Sequence, residues 1–335
     1  MQATVNTSRT RPLLLATGLV VTVGGMYFAV RGVALDETAD ALAESQLWWL
    51  VPSSLVFFVV FALRAVRWWS LFDARTRPPM PAVTQALLVG YFFNNILPAR
   101  AGEAARVISL HGRAGTPRAE ALGTAITERL FDVLALLAVL FAAYPWLPEI
   151  SWLRAAALFG FALLVAVAAF AFALVRWDVR AIHFVLTPLR LIRREGFAER
   201  VEIAAINGTR GLVAIRDLRV ALISMLLTIA SWVVLSFCHW ILTLAFSLDV
   251  PFVAGLLVTV TINLGLILPS SPAAIGVFEA ATILALTAFD VPQAEALSYA
   301  LVLHLLNIVP FLIAGGVLLG PGALLRFRRN RARST

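Results

Sequence analysis

Apolar residues in this chain come in long runs, and arginines gather between the runs. A membrane-crossing helix needs roughly 20 mostly apolar residues. Six runs meet that length: approximately 13–31, 47–70, 121–144, 152–175, 219–247 and 296–320. Two further apolar stretches are interrupted. Residues 81–97 are short and end at Pro98. Residues 250–278 carry no charge yet contain Pro269 and Pro272, and proline inside a helix removes a hydrogen bond and kinks or breaks it.

Arginine placement decides how these stretches lie. Short cytoplasmic loops of membrane proteins collect positive residues. With 81–97 not crossing, 24 of the 27 arginines fall on one side, including nine between 176 and 219 and five from Arg326 to Arg333. The loop after the first run instead sets Arg31 against Asp36, Glu37, Asp40 and Glu44. Residues 81–111 are therefore expected to form a re-entrant hairpin from the cytoplasm, broken near Pro98. By the same parity 252–289 enter from outside and break near Pro269 and Pro272, with both termini cytoplasmic. The breaks read I-L-P-A-R-A-G-E-A-A and I-L-P-S-S-P-A-A-I-G-V-F-E-A-A, which suggests an inverted repeat of 47–144 with 219–320. Inverted repeats with broken helices meeting near the midplane are a transporter architecture.

Composition fits this picture. The 335 residues are 61% hydrophobic and 14% charged, against about 25% charged in a soluble domain. The expected fold is an all-α polytopic membrane protein in one domain, 1–335, with about six full spans and two re-entrant hairpins. A basic loop (176–218) and a basic tail (321–335) would be cytoplasmic, in the cytoplasmic membrane. The first run, with 18 uncharged residues between Pro12 and Arg31, reads as a retained helix more than a signal peptide. The net charge of +8 is loop arginine, not a nucleic-acid stripe. All basic residues are Arg and none is Lys, as a GC-rich genome produces. One cysteine, Cys238, excludes a disulfide framework, and four scattered histidines make no metal cage, so neither metal nor cofactor is expected. No Walker A, G-x-S-x-G or H-E-x-x-H pattern occurs.

Polar residues concentrate at the breaks. The first offers Asn94, Asn95, Arg100, Gly102, Glu103 and Arg106; Glu103 and Arg106 share a helical face. Gly102 would serve close approach or an unusual backbone angle. The next span carries Glu128, Arg129 and Asp132, which are expensive in a bilayer and require partners, Arg106 among them. The second break offers Asn263, Ser270, Ser271, Gly276 and Glu279, the sole charge between Asp249 and Asp290. Such a carboxylate would bind a cation, meet an arginine or sit protonated. His304 and Asn307 lie three apart on the last span. A lone histidine in an apolar helix, such as His304, is more often a hydrogen-bonded packing residue than a ligand.

In these stretches, "NNILPARAGEAARV", "ITERLFDVLAL" and "LPSSPAAIGVFEAA", the chain resembles the flippase-like membrane region of the lysylphosphatidylglycerol synthases over roughly 13–320. The resemblance rests on Asn95, Pro98, Gly102, Glu103, Arg106, Glu128, Arg129, Asp132, Pro269, Gly276 and Glu279. It implies lipid movement across the membrane. Two departures matter: His304 stands where relatives often carry arginine, and the soluble aminoacyl-transfer domain is missing from this sequence, which argues against synthesis of the lysyl lipid.

The leading expectation is a lipid flippase or transporter for an anionic phospholipid or a polyprenyl-phosphate-linked lipid. Head-group contacts would come from Asn95, Arg100, Arg106, Arg129, Ser270 and Ser271, because guanidinium forks suit phosphate. Glu103, Glu128, Asp132 and Glu279 would balance charge or couple protons, and Pro98, Gly102, Pro269, Pro272 and Gly276 would set the hinges. Asn94, Asn263, His304 and Asn307 complete the candidate site. Two alternatives stand beside it: an accessory subunit presenting lipid to a lipid-modifying enzyme partner, and a membrane-embedded transferase using a carboxylate such as Glu103 or Asp132 as base. An oligomer is compatible with the sequence.

Overall fold

The structure is a computed structural model that describes residues 20–97, 101–149, scattered positions between 155 and 169, 217–266 and 271–320. The fourth expected span (152–175) lies mostly outside the described residues. So do the loop 176–216, the tail 321–335, and Pro98, Arg100, Pro269 and Ser270. Everything regular within the described residues is helical. The helices are α1 (Val20–Val30), α2 (Leu35–Ala43), α3 (Leu50–Ser70), α4 (Met80–Ile96), α5 (Gly102–Ala114), α6 (Arg118–Ala143), α7 (Leu218–Thr243), α8 (Phe252–Gly265), α9 (Val277–Thr287) and α10 (Gln293–Leu319). Helix α2 lies in a loop for which the sequence suggested no element. Its hold on the rest includes Ser298 Oγ, which donates to the Thr38 carbonyl at 2.7 Å.

Three helical stretches are long and apolar enough to cross a membrane among the described residues: Leu47–Ser70, Leu218–Phe246 and Gln293–Leu319. Helix α6, with 26 residues, spans about 39 Å. It is long enough, and what sets it apart is its charge: Glu128, Arg129 and Asp132 within two turns. On α10 the residues Leu301, Leu305, Val309, Ile313 and Val317 are exposed at a four-residue spacing. That is an apolar stripe along one face of the helix. Val51, Leu55 and Phe58 on α3 and Leu222, Leu226 and Val233 on α7 are exposed too. Outward apolar faces of this extent suit lipid, not water. The chain is an all-α, multi-pass membrane protein.

Helices α3 and α7 run antiparallel at the centre. Ser70 pairs with Ser224 (3.2 Å), Arg67 with Thr228 (3.3 Å), and Cys238 Sγ donates to the Ser53 carbonyl (3.2 Å). Small hydroxyl side chains at such a seam let two backbones approach closely. Helices α4 and α5 fold back on each other, as do α8 and α9. Helix α10 packs on α4, where a Cβ added at Gly315 would lie 2.6 Å from Phe92 Cβ, and α8 packs on α6. The short 3-10 turn Pro272–Ala274, part of the second break, also packs against α4. The described part of the second break therefore lies against the first helix of the first hairpin.

Candidate functional site

At the first break, α4 ends at Ile96 and α5 begins at Gly102. Asn94 Oδ1 accepts from the Gly102 backbone N–H at 2.9 Å, capping a donor that the break would leave open. Gly102 is required for proximity: an added Cβ would sit 2.0 Å from the Gly90 carbonyl oxygen. Glu103 lies in the first turn of α5, where the helix dipole favours an anion.

The charged residues that follow form one network. Arg67 of α3 donates to Glu128 and to Asp132 of α6, each at 2.5 Å. Arg106 of α5 donates to the other Glu128 oxygen at 3.0 Å. Its Nη2 lies 2.8 Å from Glu103, off the angle of a hydrogen bond. Arg129 donates to Glu103 and, at 3.4 Å, to Asp132. Three guanidinium groups thus meet three carboxylates across α3, α5 and α6, and the formal charge closes to zero. Arg106 also lies over the Trp68 ring (4.8 Å), whose indole N–H donates to Thr124 Oγ1 at 3.1 Å. Burial is uneven. The Arg67 and Glu128 side chains are 1% and 3% exposed, while Arg129 and Glu103 are 47% and 30% exposed. Taking a charge out of water costs several kcal/mol, so each buried member depends on its partners.

The second break is built without arginine among the described residues. Ala273, Ala274 and Gly276 adopt left-handed φ values of 57°, 60° and 85°. Glu279 Oε2 accepts from the Gly276 N–H at 2.7 Å, closing the start of α9. Glu279 Oε1 lies 2.5 Å from His304 Nδ1, and His304 Nε2 donates to the Ala273 carbonyl at 2.8 Å. A carbonyl only accepts, so Nε2 carries hydrogen, and the Nδ1–Oε1 bond requires a further proton on one side or the other. Phe278 stacks on the imidazole at 4.2 Å. Helix α1 leans on this break: Thr22 Oγ1 accepts from the Ser271 N–H (3.1 Å), and a Cβ at Gly276 would lie 2.5 Å from the Thr22 carbonyl oxygen.

The remaining candidates fall near these two centres or along their helices. Ser271 Oγ donates to the Pro272 carbonyl, and Pro272 opens the 3-10 turn. Asn263 and Asn307 each donate to a carbonyl one turn back, Thr259 and Leu303. Asn95 is half-buried at the end of α4, one turn beyond Tyr91. Sequence reasoning missed Arg67, the most buried cation of the network. In the sequence Arg67 and Arg64 count only among the 24 arginines assigned to the cytoplasmic side. The signal was that "RAVRWWS" continues the apolar helix through Trp69.

A family model for the lysylphosphatidylglycerol synthase TM region matches residues 15–315. Glycosyltransferase AglD of Haloferax volcanii is similar to part of the chain, with 24% identity over 136 residues, 40% of this chain and 22% of that protein. The match therefore spans about a fifth of that relative's length.

Proposed function

The chain belongs to the lysylphosphatidylglycerol synthase TM region family, and on that premise we propose that it moves an anionic or polyprenyl-phosphate-linked lipid across the cytoplasmic membrane. The observation that supports this most is the balanced six-charge network beside a broken hairpin. Ionisable groups at membrane depth are rare and mark substrate or proton paths. Arg129 is half exposed and shares its carboxylates with better-buried arginines, so it is the member free to exchange Glu103 for a phosphate. Asn95 stands on the adjoining hairpin. Arg106 acts as a framework cation that holds α5 to α6. Ser271 adds a hydroxyl at the second break, and Arg100 and Ser270, outside the described residues, are assigned to the head-group path from the sequence alone.

The two halves, 47–144 and 219–320, act as an inverted repeat with both termini cytoplasmic. Supporting this, the packing is reciprocal: α4 meets α10 as α8 meets α6, and α5 meets α6 as α9 meets α10. Alternating access then rocks the hairpins about the place where the Pro272–Ala274 turn touches α4.

Reconstituted into vesicles, Arg129→Gln and Glu103→Ala should each slow movement of a fluorescent anionic lipid by about tenfold without unfolding, since both sites are partly exposed. Wild-type rates in both variants would count against this head-group path. The likeness to part of a named glycosyltransferase favours a second reading, in which the chain presents a lipid-linked substrate to a partner enzyme. That reading requires that its effect in cells vanish when the partner is deleted.

A further inference from the structure

Arg64 stands one turn from Arg67 on α3, inside the apolar stretch Leu47–Ser70, yet among the described residues no carboxylate lies within ion-pair distance of it. The acids of the neighbouring network are all engaged. Glu128 serves Arg67 and Arg106, Asp132 serves Arg67 and Arg129, and Glu103 serves Arg106 and Arg129. That set is neutral without Arg64, so among the described residues the positive charge of Arg64 is unbalanced, inside an apolar stretch long enough to cross a membrane. What surrounds it is aromatic and polar. Nη1 donates to Tyr91 Oη at 3.2 Å, and the guanidinium lies over the Trp232 ring at 5.0 Å. Tyr91 is itself held by a stack on Phe311 at 4.4 Å. The indole N–H of Trp232 is buried and has no hydrogen-bond partner, and the residue is 5% exposed.

A buried donor left open beside an unbalanced cation needs an acceptor that brings negative charge. We infer that Arg64, Tyr91 and Trp232 form a further subsite for the phosphate of a lipid head group, in addition to Arg129; this rests on the lipid-transport reading and adds residues that hold its anion on the path. The chemistry is specific. A guanidinium lying over an indole keeps its edge N–H groups free, and that planar fork matches phosphate oxygens two at a time. Trp232 supplies a third donor from α7. The Tyr91 hydroxyl accepts from Arg64 and can donate onward to the same ligand. Leu55 and Phe58 on α3 and Leu226 and Val233 on α7 are exposed apolar side chains, so acyl or prenyl chains would find lipid-facing surface on the two helices that build the subsite.

The test is equilibrium binding to the purified full chain in a non-ionic detergent. The probes are dioctanoyl phosphatidylglycerol, dioctanoylglycerol, which lacks the phosphate, and inorganic phosphate. Phosphatidylglycerol should bind wild type. Arg64→Gln should weaken it about 10- to 100-fold, and Trp232→Phe, which keeps a ring under Arg64 and removes only the N–H, about 5- to 10-fold. Dioctanoylglycerol should bind weakly and equally to all three proteins. Wild-type affinity for phosphatidylglycerol in both variants would overturn the subsite, and if wild type still moves that lipid in vesicles the transport reading stands without it. Inorganic phosphate binding as tightly as the lipid would overturn the lipid assignment. Failure of wild type both to bind and to move phosphatidylglycerol would sink subsite and transport reading together.

Discussion

At the first break, Asn94 closes the backbone and three arginines meet three carboxylates drawn from α3, α5 and α6. At the second, Glu279 closes the backbone and one histidine meets it in an apolar setting, with α1 leaning on the turn. The first arrangement keeps its three positive charges at every pH a cell meets, because arginine does not release its proton. The second holds together through a bound proton. It also stores backbone strain: Ala273 and Ala274 sit in the left-handed region, which is unfavourable for any residue with a Cβ. The first break is therefore a rigid electrostatic joint with one half-exposed edge, and the second is a neutralised latch.

The largest effect should come from the centre of the rigid joint. Arg67→Met leaves three carboxylates to two guanidinium groups, with buried Glu128 and Asp132 each losing a 2.5 Å partner, and should lower stability by about 3–5 kcal/mol. Thermal unfolding in detergent measures this, and adding Glu128→Gln to the same protein should recover part of the loss. A change no larger than that of an exposed residue would mean that the network is not the keystone of the first break.

Next comes the close approach of α4 and α5. Gly102→Ala forces a Cβ to within 2.0 Å of the Gly90 oxygen and should destabilise by roughly 1–3 kcal/mol. Gly112→Ala on the same helix, with nothing within 4 Å, should be neutral or stabilising by up to about 1 kcal/mol. Equal melting temperatures for the two variants would contradict the hairpin geometry.

The latch should respond more mildly. His304→Gln loses the imidazole bridge between Glu279 and the Ala273 carbonyl. A loss of about 1–3 kcal/mol is expected, together with faster hydrogen exchange confined to the second hairpin. Exchange that rises instead at the first hairpin would remove the distinction between the two breaks. The smallest effect belongs to the half-exposed edge of the network, where Glu103→Gln should cost about 1 kcal/mol or less in stability while slowing lipid movement.

Much of this fold was legible in the chain. The runs 47–70, 219–247 and 296–320 are long and almost free of charge, and they recur as Leu47–Ser70, Leu218–Phe246 and Gln293–Leu319. Proline and glycine placed the two breaks to within a few residues, because a proline inside a helix gives up a backbone hydrogen bond. Pairings between distant helices were harder to read. Glu279 and His304 are 25 residues apart and no local spacing joins them. Arg67 was hidden for a different reason. An arginine near a span end has two fates, solvent or partner, and only the position of α6 decides between them. Gly102 was recognised as special, but only the 2.0 Å approach of Gly90 shows that proximity, and not a left-handed angle, demands it.

The central claim is that this molecule carries an anionic lipid head group through the membrane, and one rate tests it most directly. Purified wild-type chain is reconstituted at one copy per vesicle, and the transfer of fluorescent phosphatidylglycerol and of a short polyprenyl phosphate between leaflets is followed against protein-free vesicles. Transfer of one of them well above the protein-free rate, and slowed by Arg129→Gln, is the expected result. Protein-free rates for both lipids, from protein shown by its melting transition to be folded, would contradict the account and leave presentation of lipid to a partner enzyme as the better reading.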